Sequence, residues 1–176
     1  MMNHTKLWLL LAVLFLLEPT LLPWLIPLSW QTNVEVNPHF VLVVILYMGL
    51  YIRRHVALAY GLVFGFLYDF LLSYPMLGPT SFAMGVAGYA AGLMQGRMYS
   101  SIVISMFVIG SGHLFYDLVL YGINRLFRVT NVPFEWVFLH QMLPSMLINL
   151  LFALAIYVPV RRMFESLPGK PAEKEE

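Results

Sequence analysis

The sequence predicts an all-α polytopic membrane protein with six transmembrane helices, and three observations carry that reading. Hydrophobic residues make up 60% of the 176-residue chain and charged residues only 11%, against about half and about a quarter in an ordinary soluble domain. Five of the charges, Lys170, Glu173, Lys174, Glu175 and Glu176, fall at the extreme C-terminus, so the body of the chain is poorer still. Charge-poor stretches approaching the length that a bilayer demands, about 20 residues at about 1.5 Å rise each, recur between polar breaks along the whole chain.

The first stretch, 7–26, follows Lys6 in the manner of a signal peptide. No small-x-small site follows its apolar run, and Glu18-Pro19 leads on into further apolar residues, so the segment is expected to stay attached as a span. Pro19, Pro23 and Pro27 recur at every fourth position; they are expected to stop that helix or to bend it and free carbonyls. The second and third stretches, 38–52 and 56–73, are separated by Arg53-Arg54-His55. One long helix would place two cations at the bilayer centre at about 2.5–3.5 kcal/mol each, so a tight hairpin is the cheaper solution. The fourth, fifth and sixth stretches are 80–95, 101–123 and 136–160. The second and fourth are short, which tilt, local thinning or a re-entrant arrangement would accommodate, and five spans form the alternative count.

Lys and Arg set the orientation. With six spans and the N-terminus inside, Lys6, Arg53, Arg54, Arg97, Arg161, Arg162, Lys170 and Lys174 are cytoplasmic, and Arg125 and Arg128 are outside. Both termini are then cytoplasmic, and Trp24, Trp30, Tyr74 and Trp136 form an aromatic belt on the opposite face. Residues 1–165 read as a single transmembrane bundle and 166–176 as a disordered charged tail. A net charge of +1 leaves no basic footprint for nucleic acid. The absence of cysteine excludes disulfides and thiolate-held metals. No glycine pattern for nucleotides occurs. No cofactor is expected, and any coupling to energy would come from another chain.

Small residues point to close helix packing. Gly61 and Gly65 lie four apart on the third stretch, and Gly88, Gly92 and Gly96 repeat the spacing on the fourth. Such ladders let helix backbones approach, either within the bundle or against a partner's transmembrane helix.

Ionisable residues inside the membrane are costly and normally face the bundle interior. Glu18, Asp69, His113 and Asp117 lie on the outward-running spans, roughly 17–26 Å from the inner surface at about 1.5 Å per residue. They form a candidate buried polar cluster in the outer half of the bilayer. His113 and Asp117 share a helix face at i and i+4, and Asp69 is a candidate partner for either. Two roles stand open: buried hydrogen-bonded groups that fix helix register, or an outward-opening pocket for a ligand or a partner's side chain. His39 and His140 are expected to be solvated at the interface. Catalytic readings are weak. The glycine beside the catalytic acid of an intramembrane aspartyl protease is missing at Asp69 and Asp117, and Ser111 and His113, two apart, face different sides of a helix.

Asn37-Pro38-His39-Phe40 before an apolar run, then Gly61-Leu62-Val63-Phe64-Gly65-Phe66-Leu67-Tyr68-Asp69 and Leu77-Gly78, resembles the rod-shape-determining membrane protein MreD family. Residue by residue, Pro38, Gly61, Gly65, Asp69 and Gly78 match that pattern. The resemblance implies a non-enzymatic protein of the bacterial inner membrane that binds the shape protein MreC. Through MreC it would be linked to MreB filaments and to the glycosyltransferase and penicillin-binding-protein pair of peptidoglycan synthesis. The family's layout is similar to the substrate-binding subunits of energy-coupling-factor transporters, which leaves a vitamin-type binding subunit as the alternative.

Overall fold

The computed structural model describes the backbone of residues 4–25, 36–71, 76–94 and 101–165, with their side chains except those of 4–6, 21–25 and 164–165. The tail 166–176, Gly96, Arg97, Trp30, Tyr74 and the side chain of Trp24 lie outside the described residues. Among the described residues there are six helices and no strand. They are α1 (His4–Leu25), α2 (Phe40–Tyr51), α3 (Arg54–Leu71), α4 (Pro79–Leu93), α5 (Ile102–Leu126) and α6. The last begins at Phe134–Val137, passes through a π-helical turn at Phe138–Met142 and continues as Leu143–Glu165.

α2 is the axis of the fold. Its sequence, FVLVVILYMGLY, is apolar on every side, and a helix hydrophobic all round can be accommodated only by complete burial. Every residue from Phe40 to Leu50 is buried, and α1, α3, α4, α5 and α6 all pack on it. The turn at Arg53 separates α2 from α3 as the two adjacent cations require, with Arg54 extending over the ring of Tyr89.

The surrounding helices turn apolar side chains outward as well as inward. Leu16 on α1, Phe70 on α3, Phe107 on α5 and Leu151 on α6 are each more than 60% exposed. A soluble monomer rarely exposes apolar surface on so many sides. Two helices, Ile102–Leu126 and Phe134–Met163, are long and apolar enough to cross a membrane. α1 runs through Pro19 and Pro23 to Leu25, so neither proline stops the helix. The Thr20 hydroxyl donates to the Leu17 carbonyl in that stretch.

Gly61, Gly65, Gly88 and Gly92 lie inside the bundle. A Cβ on Gly61 would sit 2.8 Å from the Gly85 backbone, and one on Gly65 would sit 2.5 Å from the Ser81 Cα. On α4, a Cβ at Gly88 would meet the Ile45 side chain at 2.8 Å and one at Gly92 the Arg54 backbone at 2.6 Å. These positions, with Gly49 against Gly88 and Gly92, form one seam joining α2, α3 and α4 at backbone contact.

Candidate functional site: a buried polar network and an adjoining cavity

α2 begins inside the protein, where its first N–H groups lack intrahelical acceptors and water. The chain supplies acceptors from two other helices. The Asn37 N–H donates to Ser145 Oγ at 3.0 Å, the His39 N–H to Asn149 Oδ1 at 2.9 Å, and the Val41 N–H to Glu18 Oε2 at 3.4 Å. Pro38, between them, has no N–H to satisfy. Ser145 and Asn149 stand four apart on α6 and so reach the same strip of backbone. The Glu18 carboxylate also lies at the positive end of the α2 dipole.

Asp69 does the same for α4. Its Oδ2 accepts from the N–H groups of Gly78 (2.9 Å) and Ser81 (3.2 Å), and its Oδ1 from Thr80 (3.3 Å). Pro79 again interrupts the donors, and Gly78 adopts φ +113°, a left-handed conformation that glycine reaches without strain. Asp69 therefore stands apart from Glu18, His113 and Asp117, taken up by the start of the next helix instead of by α5.

His113 and Asp117 meet on α5, with Nδ1 and Oδ2 3.0 Å apart. Asn149 joins them to α2, its Nδ2 lying 2.6 Å from His113 Nε2 and donating to the Ser145 carbonyl at 2.8 Å. The bonding fixes the imidazole. The His39 N–H can only donate, so Asn149 presents its oxygen there and its two N–H bonds to Ser145 and His113. Nε2 of His113 is then the acceptor of the Asn149 amide, and Nδ1 faces Asp117.

His39 departs from the expectation of interfacial solvation. It is buried, with Nδ1 3.4 Å from Glu18 Oε1 and its ring 5.2 Å from Tyr116 and 6.0 Å from His113. His140, half-buried, stacks on Trp136. Asn149 is the residue that a reading keyed to ionisable groups passes over, although it bridges α2, α5 and α6. The available signal is an amide in mid-span, in Leu147-Ile148-Asn149-Leu150, where it must find partners. Ser111 donates to the Val108 carbonyl on its own helix.

Asp117 also lines a cavity of about 590 Å³ between α5, the loop 127–133 and α6. Tyr121, Asn124, Thr130, Trp136 and Gln141 contribute its other functional side chains. The loop is firmly shaped. Arg128 takes a left-handed φ of 57°, and the N–H groups of Arg128 and Val129 return to the Arg125 and Asn124 carbonyls at 3.2 and 2.8 Å. That is the paired closure that commonly ends helices. The Tyr121 hydroxyl ties the far end by donating to the Val132 carbonyl at 2.9 Å.

The family model of the rod shape-determining protein MreD matches residues 2–167. The chain belongs to the MreD family. Its function accordingly lies in determining rod shape, and its helices are compatible with a membrane protein. No curated protein and no solved structure matches the chain. Within this MreD-family chain, the motif residues Pro38 and Gly78 lie just before helix starts, Asp69 near the end of α3 bonds the start of α4, and Gly61 and Gly65 lie in the seam.

Proposed function

We propose that this MreD-family chain is a non-enzymatic adaptor of the cell-wall elongation machinery, a multi-pass protein of the bacterial inner membrane that binds MreC. Through MreC it connects MreB filaments with the glycosyltransferase and penicillin-binding-protein pair. The observation that carries the reading is the extent of the family match, residues 2–167, which takes in all six helices.

Two further features support it. The outward-facing apolar side chains of α1, α3, α5 and α6 suit lipid and a single-span partner helix. The distribution of Lys and Arg favours six spans with both termini cytoplasmic and the 127–133 loop outside. Because the glycines of the seam are closed against one another, the MreC contact belongs on the outer aliphatic and aromatic faces.

The test is co-purification with MreC from a mild detergent, together with cell shape on depletion of this chain. Stable co-purification and loss of rod shape are expected. Repeated failure to recover MreC, with rod shape retained, would overturn the proposal.

A further inference from the structure

We propose that the cavity between α5 and α6 binds an organic cation, a primary ammonium or a guanidinium, with its charge on Asp117 and its body against Tyr121 and Trp136. The three successive helix pairs share a plan: an acidic residue on the first helix, and a proline just before or at the start of the second. Glu18 serves the start of α2 after Pro38, and Asp69 serves the start of α4 around Pro79. Asp117 on α5 faces the region of Pro133 and α6 across the cavity, but its Oδ2 is turned to His113. Asp69 also borders a cavity, of about 140 Å³, but its oxygens are taken by three backbone N–H groups, whereas Asp117 borders the space of about 590 Å³.

The Asp117 carboxylate has no hydrogen-bond partner for its inner oxygen among the described residues. Asn149 engages His113 Nε2, while His113 Nδ1 and Asp117 Oδ2, 3.0 Å apart, are both buried without a hydrogen-bond partner. Among the described residues, no Lys or Arg lines the cavity. A carboxylate away from bulk water is strongly disfavoured unless a positive charge joins it. The remaining lining suits one. Tyr121 and Trp136 offer aromatic faces, which attract ammonium and guanidinium groups, and Asn124, Thr130 and Gln141 offer neutral hydrogen-bonding groups. The volume of about 590 Å³ lies within the roughly 300–1,000 Å³ of small-molecule sites. The π-helical turn that carries Gln141 is a feature often retained at functional sites. The cation could reach the cavity as a free solute or as the headgroup of a lipid, and the two share this chemistry.

The experiment uses the full chain purified in detergent. Ethanolamine, spermidine and arginine amide are titrated while thermal unfolding is followed, with ethylene glycol and glycolate as neutral and anionic controls. In parallel, the chain in nanodiscs of mixed phosphatidylethanolamine and phosphatidylglycerol is analysed for retained lipid by native mass spectrometry. A saturable rise in the unfolding midpoint with the amines identifies a solute; preferential retention of phosphatidylethanolamine identifies a headgroup. In either case Asp117→Asn should weaken binding about tenfold or more and Trp136→Leu about fivefold. The proposal is overturned if no amine exceeds ethylene glycol and neither lipid is preferred, or if Asp117→Asn binds as well as the parent. Should Asp117→Asn not fold, unchanged binding by Trp136→Leu, at a side chain 40% exposed, overturns it. The chain is assayed alone, so failure to bind MreC leaves this result unaffected.

Discussion

Asn149 is the side chain on which most of the buried network converges. Replacing it with leucine strands the His39 N–H and removes the donor to His113 Nε2, and each buried group left unpaired costs about 1–3 kcal/mol. Asn149→Leu is therefore expected to lower the resistance of the purified protein to denaturant by an amount in that range. Asp69 gives a second ranking. Asparagine preserves a carbonyl oxygen for the N–H groups of Gly78 and Ser81, and asparagine caps helices about as well as aspartate does. Asp69→Asn should thus be tolerated better than Asp69→Leu, which loses the cap at about 0.5–2 kcal/mol. Thermal unfolding in detergent ranks the two, and the reverse order would mean that avoiding charge matters more than capping α4.

At the scale of elements, glycines that look alike in the sequence are set apart by what faces them. Gly61→Ala and Gly65→Ala should impair expression and folding, because the added methyl meets backbone that side-chain repacking cannot move. Gly110→Ala should be close to neutral, since its nearest neighbour is the flexible end of Leu150 at 3.4 Å. Gly122→Ala should stabilise α5 by about 0.5–1 kcal/mol, with nothing within 4 Å of the new methyl. Detergent-solubilised yield and unfolding temperature check all four. The helices themselves were legible because long apolar runs and paired cations leave little choice: the break at Arg53-Arg54 is the clearest case. Partners were less legible. Nothing in the spacing of Asp69 says that it points to Gly78, nine residues on, and not to α5, because the decision rests on how the 76–79 turn folds back. His39 reads as interfacial because it stands at the edge of an apolar run, yet the fold places that edge against α1 and α6.

For the whole molecule, the arrangement of helices around α2 and the bias of Lys and Arg lead to a topology test that the sequence makes simple, since no native cysteine interferes. Single cysteines replacing Arg53 and Arg128 should react with a membrane-impermeant maleimide from opposite sides, Arg128→Cys from outside the cell and Arg53→Cys only after the membrane is opened. Labelling of both from the same side would remove the six-span layout. A further consequence concerns biogenesis. α2 has 12 residues, about 18 Å of helix, too little to hold its place in a bilayer unaided, and the N–H groups of Asn37 and His39 that lead into it are bonded by Ser145 and Asn149, more than 100 residues downstream. The ribosome must therefore make the first five helices and part of the sixth before the entry to the innermost helix is fully satisfied. Nascent chains released before the sixth helix should accumulate as protease-sensitive intermediates, and only those extended past it should become resistant.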